Sequence, residues 1–330
     1  MRYTEERYIS LLTDFGFKRI FGTLPNKDLL ISFLNSLFNG EEVVKDVHFL
    51  NSEHVGDVYA ERKAIFDVYC ENERGEKFIV EMQNAKQHYF KDRSLYYATF
   101  PIREQAPKGQ DWNFKLAHVY VVALLNFDMH EEAFARDSIS HDVALIDKET
   151  NKVFNEKLRF KYVEVAKFNK NLDELDTLYD KWIYVLKNLA RLNKQPAHLR
   201  NAVFDHLFSE AEIASFTHTE LKEYEDSLKA YRDIKNSLDT AKDEGRAEGM
   251  AKGMAEGMAK GMAKGMAEGM VKGMAEGMAK GLAEGMAEGM AKGRGETLNK
   301  MVSEMKREGL GYDLIEKLTG LTQKDIDAIP

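Results

Sequence analysis

Residues 63–83 read KAIFDVYCENERGEKFIVEMQ, and this segment carries the strongest structural pattern in the chain. Two runs rich in β-branched and aromatic residues, 61–70 and 77–83, flank the segment Asn72-Glu73-Arg74-Gly75. Such runs favour strands, and a short glycine-containing segment between them is typical of a β-hairpin. The sequence therefore predicts a hairpin over residues 61–83.

Three polar side chains stand inside the apolar runs of this hairpin. Strand alternation places Asp67 on one face of the first strand, and Glu81 and Gln83 on one face of the second. If these faces align, the side chains converge. A carboxylate among apolar neighbours is costly unless something pairs with it, and a divalent metal such as Mg²⁺ or Mn²⁺ suits oxygen ligands. The alternative is that both carboxylates lie on a solvated sheet face.

The rest of the first two hundred residues alternates between helical and strand patterns, which predicts an α/β architecture. The patterns predict helices near residues 5–21, 26–38 and 87–106 and strands over 117–126 and 158–168. From residue 173 onward the apolar residues have helical spacing.

A tetrapeptide repeat, Ala-(Glu or Lys)-Gly-Met, runs through residues 245–293 with a glycine at every fourth position. It holds ten of the fifteen methionines, so it is a separate low-complexity segment. On a helix of 3.6 residues per turn this period advances about 40° per repeat, so the methionines wind around the helix. Either a solvated helical or flexible spacer, or a seam for homo-oligomer formation, fits this pattern. We predict an α/β core over 1–190, a helical extension over 191–240, the repeat over 241–295 and a small helical tail over 296–330.

Composition narrows the functional classes. The formal net charge of -8 disfavours a protein that binds nucleic acid by bulk electrostatics. The single cysteine, Cys70, excludes an internal disulfide framework and a zinc site built on several cysteines. The polar residues 1–10 do not resemble a signal peptide, and the longest apolar run, 119–125, is too short to cross a bilayer. We therefore expect a cytoplasmic protein without a membrane segment.

Four separated segments, in order, resemble a known family. LLTDFGFKRIFG, KAIFDVYCENERGEKFIVEMQ, DRSLYYATFPIREQ and RFKYVEVAKF are similar to the Rpn family of recombination-promoting nucleases, also labelled putative transposases, over about residues 8–190. These proteins belong to the PD-(D/E)XK nuclease superfamily. The resemblance implies a restriction-endonuclease-like core, with a mixed central sheet flanked by helices. It also implies a Mg²⁺-dependent DNA endonuclease linked to recombination or mobile elements. The alternative is a weak or inactive nuclease fold that binds DNA or partners, or assembles with itself.

The resemblance also implies roles for the hairpin residues. The superfamily motif is an acidic residue on one strand followed by (D/E)-X-K on the next. Asp67 matches the first acid, Glu81 matches the second, and Gln83 stands where the lysine usually lies. Asp67 and Glu81, with the backbone carbonyl of Met82, are then the expected Mg²⁺ ligands, with Mn²⁺ as a substitute. Gln83 cannot act as a base, but its amide can orient a water molecule.

Two further catalytic candidates complete this predicted site. Asp14 matches an acid that the superfamily often carries on the preceding helix, and Glu5 and Glu6 are weaker candidates for that role. Lys63 shares a strand face with the first acid at a spacing of four residues. It is therefore the better candidate for the positive charge that Gln83 lacks, and Lys86 is the other candidate.

The predicted helix after the hairpin is the candidate surface for DNA, which we expect to be double-stranded. Between residues 86 and 115 there are six basic and three acidic side chains, 6 − 3 = +3 in a chain of net charge -8. Basic side chains interleaved with polar and aromatic ones suit phosphate contact. An ordinary amphipathic helix packed on the sheet is the alternative. The candidate DNA contacts are Lys86, Gln87, Lys91, Arg93 and Tyr97.

Overall fold

The computed structural model describes residues 6–38, 43–54, 64–106 and 112–330. The chain divides into two compact units, Met1–Asp243 and Glu244–Pro330. The boundaries predicted at residues 190, 240 and 295 stay predictions.

A mixed β-sheet forms the centre of the first unit. Its strands and a separate short pair are β1 (Val47–Phe49), β2 (Glu53–His54), β3 (Ala64–Ile65), β4 (Val68–Asn72), β5 (Lys77–Gln83), β6 (Val119–Leu125), β7 (Ser140–Ile146) and β8 (Val153–Glu164). In the described chain, six of these form one sheet in the order β1-β4-β5-β6-β8-β7, while β2 pairs with β3. β6 is parallel to both β5 and β8, and the other neighbours are antiparallel. The carboxyl ends of β5, β6 and β8 therefore meet at one edge.

Helices cover both faces of this sheet. The helices of the described chain are α1 (Asp14–Phe21), α2 (Lys27–Phe38), α3 (Phe90–Glu104), α4 (Leu178–Asn188), α5 (Ala202–Glu210), α6 (His218–Arg307), α7 (Tyr312–Thr319) and α8 (Gln323–Asp327). Of these, α7, α8 and most of α6 belong to the second unit. The main core joins α1, α2, α4 and α5 to one sheet face, with Trp182 and Phe33 at its centre and Cys70 buried in it. α3 packs on the other face, where Ala98 and Phe100 meet Tyr69 and Ile79. The predicted α/β fold with helices on both sides of a mixed sheet is confirmed.

The first helix begins later than the sequence predicts, at Asp14 instead of near residue 5. Upstream of it the chain is extended, because Tyr8 forms a β-bridge with Glu212. Thr13 then caps the helix, since its hydroxyl accepts a hydrogen bond from the Gly16 N–H at 3.1 Å. Pairing with a segment two hundred residues away is therefore what prevents the earlier start.

Gly16 brings this helix close to the preceding backbone. A Cβ at this position would lie 2.1 Å from the carbonyl oxygen of Ser10. No side chain fits in that space, so glycine sets the entry of α1 into the core.

The predicted hairpin is present as β4 and β5, with Val68 opposite Val80. Gly75 has φ +76° at the turn, a conformation that glycine adopts without strain. The first strand starts at Val68, so Asp67 lies in the bend before β4 and not within a strand as predicted. Residues 61–63 lie outside the described residues.

Other elements differ from prediction at their ends. The buried strand β6 is present as predicted, and the predicted helix over 87–106 is the shorter α3. The predicted strand over 158–168 begins earlier and is the longer β8, which ends before a 3-10 turn at Val165–Lys167. The edge strand β7 was not predicted from the sequence. Its outer residues are polar or exposed, so it lacks a buried-strand pattern.

The glycine repeat is helical and lies within α6, a helix of 90 residues. Its side chains are exposed, and a Cβ placed at any glycine from Gly245 to Gly293 would meet nothing within 4 Å. In the second unit, Val302 packs against Ile315, Ile326 and Ile329, so the predicted tail forms a small helical cluster. Among the described helices, none combines the length and the apolar character needed to cross a membrane.

Candidate active site

Asp67 and Glu81 lie beside each other where β5 approaches its carboxyl end. The antiparallel register that sets Val68 opposite Val80 sets Asp67 opposite Glu81 when it is continued by one residue. The Asp67 N–H donates to Glu81 Oε1 at 3.2 Å, and the Met82 N–H donates to Asp67 Oδ2 at 2.8 Å. Each carboxylate is therefore held by the backbone of the opposite segment.

Burial and like charge make this pair difficult to ionise fully. Glu81 is 6% exposed, and the Asp67 side chain is 22% exposed. Burial, followed by the charge of Asp67, raises the pKa of Glu81 to about 8. Burial also raises the pKa of Asp67, although the hydrogen bond from Met82 opposes this shift. Two carboxylates of this kind favour a bound cation.

The nearest described cation is Lys18 of α1. Its Nζ lies 2.7 Å from Asp14 Oδ1 and 4.0 Å from Asp67 Oδ1. Burial alone lowers the pKa of Lys18, but the Asp14, Asp67 and Glu81 carboxylates outweigh burial and raise this pKa. The sequence analysis missed Lys18. Lys18 could have been found from its four-residue spacing from Asp14, because that spacing places both side chains on one helix face.

Asp14 lies at the start of α1, at the outer side of the site. Its side chain is 64% exposed and forms the ion pair with Lys18. The weaker candidate Glu6 lies elsewhere, because it accepts hydrogen bonds from Tyr224 Oη and Arg232. Glu5 and Lys63 lie outside the described residues.

Gln83 and Met82 occupy the end of β5 next to the acids. Gln83 Nε2 donates to Glu81 Oε2 at 3.3 Å. The Gln83 carbonyl accepts from the Asn126 N–H at 2.8 Å, on the β6 side. In an extended strand, successive residues present their N–H and C=O groups to opposite sides. The Met82 carbonyl, like its N–H, therefore faces Asp67.

The helix α3 brings a second cation beside the acids. The Arg93 guanidinium lies over the Tyr97 ring, 5.5 Å from its centroid, and donates to Gln87 Oε1 at 2.7 Å. Arg93 Nε is buried and has no hydrogen-bond partner in the described chain. Burial, followed by the charge of Glu81, raises the pKa of Tyr97. Arg93 and Tyr97 thus lie within electrostatic reach of the carboxylates.

Lys86 and Lys91 contact the segment after β6. Lys86 Nζ donates to the Met129 carbonyl at 2.6 Å, and Lys91 Nζ lies 2.8 Å from Glu131 Oε2. These contacts connect the start of α3 to that segment. A role of either lysine in DNA contact stays a prediction.

The donor set fits a hard divalent cation. Over residues 6–38, 43–54, 64–106 and 112–330, no group of three or more His, Cys, Asp or Glu side chains is arranged to hold a metal. The site instead offers two carboxylates and a backbone carbonyl. Mg²⁺ commonly binds through one or two carboxylates, with water and phosphate oxygens as its other ligands. The residues present therefore fit Mg²⁺ or Mn²⁺.

A mixed sheet flanked by helices, with two acids on adjacent strand segments, defines the PD-(D/E)XK class of nucleases. A family model described as PD-(D/E)XK nuclease family transposase matches residues 11–241, and the chain belongs to this family. This match confirms the resemblance inferred from the four sequence segments. Nucleases of this kind typically use divalent metals. No curated protein and no solved structure matches the chain significantly.

Proposed function

We propose that this protein is a Mg²⁺-dependent DNA endonuclease that hydrolyses phosphodiester bonds in recombination or mobile-element biology. The observation that carries the proposal is the reciprocal backbone contact that sets the Asp67 and Glu81 carboxylates side by side. Burial raises the pKa values of both acids, and the charge of Asp67 raises the pKa of Glu81 further, so their adjacency is costly for the metal-free protein. Their adjacency is explained if the pair binds a cation.

Asp67, Glu81 and the Met82 carbonyl are the residues that would hold the ion. A divalent cation bound there supplies positive charge to the scissile phosphate and lowers the pKa of a bound water. Asp67 and Glu81 must both be ionised to bind it. Lys18 favours this state, because its charge opposes the rise in the pKa of both acids.

Lys18 and Arg93 supply the positive charge that the lysine of the (D/E)-X-K motif supplies in other members of the superfamily. Lys18 approaches Asp67 from α1, and Arg93 approaches from α3 on the other sheet face. The terminal N–H groups of the Arg93 guanidinium suit a phosphate oxygen, whereas its Nε is buried. Gln83 Nε2 donates a hydrogen bond to Glu81 Oε2, so the side-chain amide is held in an orientation that can position a water molecule.

The reaction is addition of water across the P–O bond. A water oxygen attacks phosphorus in line with the 3′-oxygen, a P–O bond to water forms, and the bond to the 3′-oxygen breaks. The leaving oxygen takes up a proton, and the attacking water loses one to solvent. Duplex DNA is the proposed substrate.

Plasmid nicking tests the proposal directly. The wild-type protein should nick supercoiled DNA with Mg²⁺ or Mn²⁺ and not with EDTA. Asp67→Ala and Glu81→Gln should each lower the rate at least about a thousandfold, because either change removes a ligand. Glu71→Gln is the matched control, since Glu71 lies on β4 but pairs with Lys77.

Two results would overturn this assignment. One is the absence of any metal-dependent nicking by the folded wild-type protein, which would favour the inactive binding module. The other is nicking that survives Asp67→Ala. A Mn²⁺ titration by calorimetry adds a readout independent of turnover, because Glu81→Gln should lose binding while Glu71→Gln retains it.

A further inference from the structure

A polar pocket of about 240 Å³ lies beside the candidate active site, and the function proposed above does not use it. It is smaller than the roughly 300 Å³ at which pockets for drug-sized ligands begin. The lining residues come from the segments after β5 and β6, from the end of α4 and its following turn, and from the first part of α6. All of them belong to the first unit.

Amide and hydroxyl groups form the floor of this pocket. Asn126 Nδ2 lies 3.3 Å from Asn84 Oδ1 and 3.4 Å from Tyr231 Oη. Asn84 Nδ2 in turn donates to the Leu12 carbonyl at 2.7 Å. This chain of hydrogen bonds holds polar side chains at the base of the pocket.

Positive charge surrounds the floor. Lys187, Arg191 and Lys235 line the pocket, against the single acidic lining residue Asp239. In the described chain the side chains of Arg191 and Lys235 have no ion pair or hydrogen bond with another residue. Three cationic side chains and one carboxylate give the pocket an excess of positive charge, which a bound anion can neutralise.

Lys187 is held in place beside another cation. Its Nζ donates to the carbonyls of Ala166 and Phe168 at 2.9 and 2.6 Å, which uses two of its three N–H donors. Burial, followed by the charge of Arg191, lowers the pKa of Lys187. The two like charges therefore repel each other in the absence of an anion.

The pocket adjoins the acids through the end of the sheet. Asn84 follows Gln83 directly, and the Asn126 N–H donates to the Gln83 carbonyl at 2.8 Å. Asn84 follows Glu81 by three residues, so their Cα atoms lie within about 10 Å of each other along the extended strand. The pocket and the acids thus share the edge formed by the carboxyl ends of β5 and β6.

We infer that this pocket is a phosphate subsite, which binds a backbone phosphate of the DNA strand near the bond that is cut. Arg191 and Lys235 pair with the phosphate oxygens, and Lys187 contributes its remaining donor. The subsite anchors the strand next to the acids and carries no sequence information. The identity of the ligand as DNA rests on the proposed nuclease function, whereas the affinity for phosphate does not.

A charge-matched pair of double variants tests the subsite in the full-length chain. The pocket variant is Arg191→Gln/Lys235→Gln. The control is Lys194→Gln/Lys229→Gln, which removes two exposed positive charges outside the pocket from neighbouring positions. Both carry Glu81→Gln, so that DNA binding is measured without cleavage, and both are compared with the Glu81→Gln parent.

We expect the pocket variant to bind a short duplex at least about tenfold more weakly than the control. The slope of log K against log salt should fall by about 1, since one phosphate contact is lost. Equal weakening by the two double variants would overturn the subsite, because it would show diffuse electrostatics. So would unchanged binding in the pocket variant.

Inorganic phosphate separates this inference from the nuclease proposal. At constant ionic strength, phosphate should raise the melting temperature of the parent and the control, and the pocket variant should lose that rise. Equal shifts in all three proteins would overturn the subsite even if the wild type nicks DNA. A shift lost only in the pocket variant would uphold the phosphate subsite even if no nicking is observed.

Discussion

The Asp67 carboxylate accepts the backbone N–H of Met82 at 2.8 Å, one step beyond the point where the β4–β5 ladder begins. In the β4–β5 pairing, a strand N–H donates to a backbone carbonyl. At Met82 the acceptor is instead the side-chain carboxylate of Asp67. Its second oxygen, Oδ1, faces Lys18 at 4.0 Å. Asp67 thus ends the hairpin pairing and completes the acidic site with the same group.

Glu81 should destabilise the metal-free protein as the pH rises. Its pKa lies at about 8, above its usual value of 4.5, so between these values the folded state binds a proton that the unfolded chain lacks. The free energy of unfolding therefore falls with rising pH across this range. Glu81→Gln should be more stable than the wild type by up to about 4 kcal/mol at pH 8. The two should be nearly equal at pH 4.5.

Urea unfolding in EDTA at both pH values measures this effect. Glu71→Gln provides the comparison, because Glu71 lies in the same hairpin but pairs with Lys77 and not with a second carboxylate. Equal stability of Glu81→Gln and wild type at pH 8 would contradict the prediction.

Lys18 should set the pH dependence of cleavage. Removing its charge in Lys18→Gln lets the pKa values of Asp67 and Glu81 rise further, since Lys18 opposes both shifts. The nicking rate at pH 7 should fall about tenfold, and its pH profile should move to higher pH. Lys18→Arg should retain most of the rate. A uniform loss at every pH would indicate a structural role instead.

Gly16 should tolerate no side chain. Gly16→Ala places a Cβ 2.1 Å from the Ser10 carbonyl oxygen, a rigid backbone atom, so α1 must move. The cost should be at least about 2 kcal/mol of unfolding free energy. Thermal unfolding measures it, with Gly265→Ala as the control because a Cβ there meets nothing within 4 Å. Similar melting temperatures for both variants would show that α1 adapts.

The repeat glycines should weaken their own helix. Replacing Gly257, Gly261, Gly265 and Gly269 by alanine should stabilise that part of α6 by about 1 kcal/mol per residue. Far-UV circular dichroism during heating should show a later loss of helical signal. If the mass in solution changes as well, the glycines serve contact between chains and not only as a spacer.

The length of the repeat should matter little to cleavage. Deleting two whole tetrads, residues 257–264, keeps the four-residue pattern, and it removes exposed side chains. The nicking rate should stay within about twofold of wild type. A large loss together with a changed oligomeric mass would support a self-association seam instead of a spacer.

Local patterns were sufficient for much of the fold. The hairpin, the buried strand β6 and the second helix follow from alternation, turn residues and apolar spacing, which are properties of neighbouring residues. The edge strand β7 was missed because its outward residues have no buried-strand pattern. The late start of α1 depends on Tyr8 pairing with Glu212, which no local window contains.

The adjacency of the acids and the helical character of the repeat follow from local sequence. Antiparallel register across a short turn sets Asp67 against Glu81, and most residues of the tetrad favour a helix. Long-range packing sets which cations reach the acids and where the pocket forms. Lys18 and Arg93 come from opposite faces of the sheet, and Arg191 and Lys235 come from α4's following turn and α6. The order of strands and the packing of distant helices, not local propensity, bring such groups together.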